Sequence, residues 1–275
     1  MLLLALDTST RQSSVALCSE DSLLGEYTWH AGGNHSVELL DHVQRLCASA
    51  QVTLSQLDAV AVAIGPGSFN GVRVALATAK SLAFALQKSL VGVTTLDCIA
   101  AQQQLWQGPV CAFLEAGRGE LYSACYSFET LSTDDRLVSF RLQRLSEYLL
   151  STPQLVAASF QAQAPTWFPA ENGLPLWLFC GEISEPSRLT LASLFPEQCL
   201  FAGPNRSARR ASVLASLAFQ RLQAGEQDDP LVLEPFYLRR PSITKSSRKQ
   251  PLLGGASLHS SGEHDTEREE GALRH

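Results

Sequence analysis

Two short stretches hold residues that could do chemistry together. One is a carboxylate followed by hydroxyls, Asp7-Thr8-Ser9; the other is Gly65-Pro66-Gly67-Ser68-Phe69-Asn70-Gly71. Three glycines and a proline demand a tight loop. The alternating Ala/Val run from Ala59 to Ile64 before that loop suits a strand buried on both faces. Val72 to Leu86 behind it reads as a helix, with Ser68 or Asn70 as N-cap. Strand, glycine loop and helix N-terminus aim free backbone N–H groups at one point, which suits an anion. The candidate phosphate or nucleotide site is therefore Asp7, Thr8, Ser9, Gly65, Gly67, Ser68 and Gly71. The spacing G-x-G-x-x-x-G is one residue longer than the dinucleotide fingerprint, and no Lys-Ser/Thr follows it as in a P-loop. A plain turn explains the loop on local grounds.

The elements that would position these residues follow from periodicity. Leu2 to Asp7, Ser14 to Ser19 and Leu23 to Trp29 read as three strands in a meander. Asn34 or Ser36 caps a helix to about Ala50, on which Val37, Leu40, Val43, Leu46 and Cys47 keep helical spacing. The glycine-loop unit, a strand over Leu90 to Val93 and a helix over Leu96 to Trp106 complete a β-β-β-α-β-α-β-α order. That order is the ribonuclease-H-like arrangement which also builds actin-like ATPases. Gly108-Pro109 marks a boundary, giving domains 1–107 and 108–240. The second carries strands at Val110 to Leu114, Glu120 to Phe128 and Trp177 to Cys180, and a helix over Arg141 to Leu150. Between Ser132 and Phe201 its pattern is poor enough to read as degenerate. An amphipathic helix over about 207–224 is expected to pack back on the first domain. The polar, Ser/Gly-rich 241–275 reads as a disordered tail.

Several chemistries of such folds fail on residue types. A two-metal nuclease needs several oxygen ligands. Asp7 with Glu38 or Asp41 could begin such a set, but the fourth strand ends Ala63-Ile64-Gly65 without an acid. An actin-like kinase wraps phosphates with a glycine-bearing first hairpin turn, and Thr8 to Ser13 contains no glycine. Ser68 directly follows Gly67, which is not the spacing of a nucleophile elbow. Arg118, Glu120 and Tyr122 read as a hairpin turn with a surface ion pair.

Composition narrows the setting. Seven cysteines are scattered without a C-x-x-C pair, as expected of reduced thiols in the cytoplasm. Met1 to Leu6 lacks a basic n-region and reads as a strand rather than a leader. No stretch approaches the ~20 apolar residues of a membrane span, so no membrane partner is expected. A net charge of −6 makes the chain a poor grip for nucleic acid by itself.

The longer strings Gly65-Pro66-Gly67-Ser68-Phe69, Gly71-Val72-Arg73, Ala77-Thr78-Ala79-Lys80 and Val91-Gly92-Val93-Thr94-Thr95-Leu96 closely resemble the TsaB (YeaZ) family. Leu6-Asp7-Thr8-Ser9, Ser14-Val15-Ala16-Leu17, His35-Ser36 and Gly119-Glu120-Leu121-Tyr122 fit the same pattern. The likeness is dense to about Ile99 and patchier to about Arg240. Asn70 replaces the usual threonine, and Glu115 the usual aspartate. The resemblance implies the two-domain actin-like fold. It also implies a non-catalytic partner of TsaD, which works with the ATPase TsaE to move a threonylcarbamoyl group onto the adenosine beside the tRNA anticodon. TsaD carries an H-x-x-x-H metal pair; Thr95 and Ile99 stand at the equivalent positions, and a hydrocarbon cannot ligate. Neither metal nor cofactor is expected. The helices after the meander and after the glycine loop carry wide apolar and alanine stripes. By residue type these could cover the chain's own sheet or a partner. The resemblance assigns them to pairing with TsaD, or to a homodimer when TsaD is absent, through His35, Val37, Leu39, Leu40, Val43, Arg73, Leu76, Ala79, Lys80 and Ala83. tRNA would be reached only through the complex. The rival reading is a kinase or peptidase of the same fold with its own active site.

Overall fold

Alternation of large and small apolar residues organises the first sheet. The structure is a computed structural model that describes residues 1–31, 35–134, 137–168 and 175–239; the side chains of 35–37 and 132–139 lie outside that description. The meander is β1 (Leu2–Asp7), β2 (Gln12–Ser19) and β3 (Leu23–His30), followed by α1 (His35–Ser49). Then come β4 (Ala59–Ala63), α2 (Phe69–Leu86), β5 (Ser89–Val93) and α3 (Thr95–Ala101). The strands lie in the order β3-β2-β1-β4-β5, antiparallel across the meander and parallel from β1 to β5. Period two sends Leu4, Leu6, Val15, Leu17, Val60 and Val62 to the face covered by α1 and α2. It sends Ala5, Ala16, Ala59, Ala61 and Ala63 to the opposite face.

The second sheet repeats that design. Its elements are β6 (Val110–Gly117), β7 (Glu120–Asp134), β8 (Leu137–Arg144), β9 (Leu149–Ser151), α4 (Pro153–Trp167), β10 (Trp177–Glu182), α5 (Glu185–Leu194) and β11 (Cys199–Phe201). The order β11-β10-β6-β7-β8 is the first sheet's order again, with β9 added alongside β7. The chain has the two-sheet actin-like, ribonuclease-H-like fold. α4 and α5 cover one face of this sheet through Phe160 and Leu191, and α3 covers the other through Leu96, Ile99 and Ala100. After the short α6 (Pro204–Ser207), α7 (Ala211–Gln223) returns to the alanine face of the first sheet. The small strand residues let that helix approach closely. Its first turn is capped by the sheet, with Ala211 N donating to Ser14 Oγ at 2.6 Å and Ser212 N to Glu26 Oε1 at 2.8 Å.

Residues 226–239 form a strap along the first sheet. Asp228 N donates to Leu90 O at 2.8 Å, Lys80 Nζ to Leu233 O at 3.0 Å and Phe236 N to Ile64 O at 2.7 Å. The strap ends on the second sheet, where Arg239 donates to Ala116 O at 2.9 Å and pairs with Glu120.

The structure corrects several expected elements. Arg141 to Leu150 is not a helix but the end of β8, a turn and β9. Leu142, Leu145 and Leu149 keep helical spacing, yet β7 supplies better partners. Leu145 N and Ser146 N donate to Cys125 O at 2.8 and 3.3 Å, and Cys125 N donates to Ser146 Oγ at 2.9 Å. Among the described residues, the stretch read as degenerate contains two helices, the four strands β8 to β11, and two prolines that open helices, Pro153 and Pro186. The helix expected to Trp106 ends at Ala101, and the last helix begins at Ala211. The expected tail, 241–275, lies outside the described residues.

Candidate functional site

β1 and β4 are parallel, so the Asp7–Ser9 turn and the glycine loop both leave the carboxyl ends of their strands. That edge is where α/β sheets hold ligands. Here it faces β6 and β10 of the second sheet across an open cleft of about 730 Å³, lined by Thr10, Gln12, Ser68, Glu115, Tyr122 and Glu182 among others.

The expected phosphate residues do converge, but on each other. Thr8 Oγ1 donates to Gly71 O at 2.6 Å, Ser68 N to Ser9 O at 2.6 Å, and Thr95 Oγ1 to Ser9 Oγ at 3.0 Å. Ser9 N donates to Asp7 Oδ1 at 2.8 Å. Ser68 is the N-cap of α2, its Oγ accepting from Gly71 N at 3.3 Å. A Cβ on Gly67 would overlap Ser9 O, and one on Gly71 would overlap Thr8 O. These two glycines therefore let the loop lie against the chain's own first turn. The third, Gly65, has φ +103°, and a Cβ there would stand 2.8 Å from Phe236 O of the strap. Ser68 N and Gly71 N are therefore engaged within the chain, and the two glycines serve close packing of the loop on the first turn.

Asp7 is also engaged. Arg209, 1% exposed, donates from Nε to Asp7 Oδ2 at 2.8 Å, and its other nitrogens reach Glu182 and Gln12 O. Thr10 Oγ1 donates to Glu182 Oε1 at 2.6 Å. Burial alone would lower the Arg209 pKa, but the two carboxylates raise it, so the guanidinium stays charged. A cation of the chain thus sits against the carboxylate weighed above as a first metal ligand. The other acids considered for a nuclease are committed elsewhere: Glu38 accepts from Trp29 Nε1 at 3.0 Å, and Asp41 pairs with Arg45 at 3.0 Å. Glu120 pairs with Arg239 rather than Arg118. Glu115 Oε1 accepts from Ser184 N, the cap of α5, at 2.8 Å. Thr95 and Ile99 do not fit a metal: both are fully buried, Thr95 donating to Ser9 and Ile99 packed under the second sheet.

Arg209 was not legible in the sequence. In Arg206-Ser207-Ala208-Arg209-Arg210 it looks like one more solvated charge before a helix. Its partners lie across the fold, and no local pattern announces them.

The residues assigned to an interface divide in two. Leu39, Val43, Leu76, Ala79 and Ala83 are at most 4% exposed and form the core under α1 and α2. The stripes cover their own sheet first, so these five are corrected to core residues. Lys80 is held by Leu233 O. Leu40 and Arg73 are exposed, as is Phe84. The side chains of His35 and Val37 lie outside the described residues.

One cluster joins α3 to the second sheet. Tyr126 and Tyr148 both donate to Asp97 Oδ1, at 2.8 and 2.9 Å. Burial first, and then the Asp97 charge, pushes the Tyr148 phenol up to about 12 and Tyr126 in the same direction. A free phenol titrates near ~10. Above that pH the unfolded chain releases protons that the fold retains, so stability is full below about pH 10 and falls toward pH 12. The urea midpoint is expected to drop between about pH 10 and pH 12, and more shallowly in Tyr126→Phe/Tyr148→Phe. Identical pH slopes would discount the cluster.

The family model for TsaD, tRNA N6-adenosine threonylcarbamoyltransferase, matches residues 29–245. A Bacillus subtilis relative, tRNA threonylcarbamoyladenosine biosynthesis protein TsaB, is 33% identical over 129 residues, 47% of this chain and 56% of its own. The Escherichia coli protein of that name is 33% identical over 130 residues, 46% of this chain and 55% of its own. A Pseudomonas aeruginosa structure described as similar to peptidase YeaZ superposes with TM-score 0.69 at 29% identity, covering 86% of this chain and 99% of that one. The chain belongs to the TsaD family, on its TsaB/YeaZ branch. It spans about half the length of the curated TsaB relatives it matches. The YeaZ-like structure covers enough of the chain to include both sheets. Among the described residues no helix is long and apolar enough to cross a membrane.

Proposed function

We propose that this TsaB-branch chain is the non-catalytic partner subunit of a cytoplasmic complex that forms threonylcarbamoyladenosine in tRNA. It supports a TsaD-like subunit, with a TsaE-like ATPase in the same complex, and pairs with itself when alone. Its domains are 1–107 and 108–240. The observation that supports this reading is the floor of the cleft: Asp7 is neutralised by Arg209, and the glycine loop is packed against Thr8 and Ser9. Positions that serve chemistry in this fold are spent here on holding the fold. What is left to offer is surface, and the outer faces of α1 and α2 present Leu40 and Phe84 at 49% and 69% exposure.

Threonylcarbamoyl transfer to tRNA is expected only when TsaD is present, and to rise when this chain is added. Transfer by this chain alone, or no effect on a cognate TsaD, would refute the reading. Leu40→Glu and Phe84→Glu are expected to weaken pairing at least about tenfold by removing apolar contact and burying a charge, with the melting temperature nearly unchanged. Undiminished co-elution of both variants with TsaD would move the interface elsewhere.

A further inference from the structure

A second concavity, of about 270 Å³, lies between the end of α3, the β7–β8 pair and the turn from α6 to α7. Its lining departs from the acidic balance of the chain. Arg206 and Arg210 stand in it beside Gln102, Gln104, Gln220 and the Phe140 ring, and among the described residues no carboxylate lines it. Arg210 is held at 2.9 Å by Glu26, which lies outside the lining. Arg206 is exposed, and its guanidinium has no partner among the described residues. Gln220 Nε2 donates to Phe140 O at 3.2 Å.

Beneath these residues, side-chain amides are buried without full pairing. Gln103 is 2% exposed; its Nε2 donates to Arg206 O at 2.6 Å, and its Oε1 has no partner. Gln102 Nε2 is likewise buried and unpaired, on a residue that lines the concavity. Those two atoms lie under the floor and only stiffen it; the carboxamides open to a ligand are those of Gln104 and Gln220, both exposed on the lining. A guanidinium suits a phosphate, carboxamides suit base edges, and an aromatic ring suits a base face. Together these are the contacts of unpaired RNA. An acidic peptide of Asp and Glu would use the arginine and carboxamides but bring no flat ring to the Phe140 face.

We propose that this groove holds a nucleotide or two of the unpaired RNA on which the complex acts, so that this chain contributes its own contact to the tRNA. The proposal rests on the threonylcarbamoyladenosine reading above. The test uses the full chain paired with TsaD and a fluorescein-labelled anticodon stem-loop. Arg206→Glu is expected to weaken binding about tenfold and to lower the salt slope of log K by about one. Gln104→Glu, which leaves Arg206 in place, is expected to weaken it several-fold. Both variants should pair with TsaD and melt as the parent does. Unchanged affinity and slope in both would overturn the proposal, as would equal competition by polyglutamate at the same ionic strength. If the parent chain does not pair with TsaD, the functional reading fails instead. The groove is then tested on the chain alone with the same RNA: binding that Arg206→Glu abolishes supports it, and no binding by the parent overturns it.

Discussion

Arg209→Met is expected to lower the unfolding free energy by about 3–5 kcal/mol, the usual cost of leaving a buried charge without its partner. Asp7 is 2% exposed, and among the described residues it keeps only the Ser9 N–H without the guanidinium. Glu182 is 39% exposed on its side chain, so water can replace its lost partner and its share of the loss is small. The guanidinium also meets Gln12 O, and Thr10 meets Glu182, so the segment between α6 and α7 is tied to both sheets at the cleft floor. Urea midpoints would measure the effect. Asp7→Asn/Arg209→Met should recover part of the stability, because no charge is then stranded. A loss below about 1 kcal/mol for the single variant would show that water reaches Asp7 and that the triad is not a structural centre.

Gly71→Ala is the second large effect expected. Inside a helix this change normally gains about 1 kcal/mol. Here the added methyl would overlap the Thr8 carbonyl, which is backbone, in a turn pinned to the loop by Ser68 N donating to Ser9 O and Thr8 Oγ1 donating to Gly71 O. Overpacking of that kind costs about 1–3 kcal/mol or more, so the clash outweighs the propensity and the variant should be less stable. Gly203→Ala is the control, since a Cβ there meets nothing within 4 Å. If both alanine variants were equally stable, the turn would be free to move away, and the loop glycines would need another explanation.

Much of the first half was legible because its pattern is local. Alternating Ala59 to Ala63, the Ser68 cap and the β-α order each carry their own signal, and every one of those elements is present. The second half hid its repeat of the same strand order. Its helices open on prolines that look like breakers, and its Leu142-Leu145-Leu149 spacing mimics a helix that Cys125 pulls apart. The site was half legible. Proximity of Asp7, Ser9 and the glycines could be read from strand ends, but what fills them could not. Arg209 reaches Asp7 from the far end of the chain, and the alanine and leucine stripes look alike whether a sheet or a partner covers them.

The strap has one more role. β5 ends the first sheet, and an end strand with free N–H and C=O groups invites other chains to add to it. Asp228 occupies that margin, its N–H on Leu90 O and its carboxylate taking the Gly92 N–H at 2.7 Å, while Arg221 clamps it from α7. A chain cut short ahead of Asp228 would leave a sticky border, and fibrils or inclusion bodies, rather than lost activity, would be its first symptom.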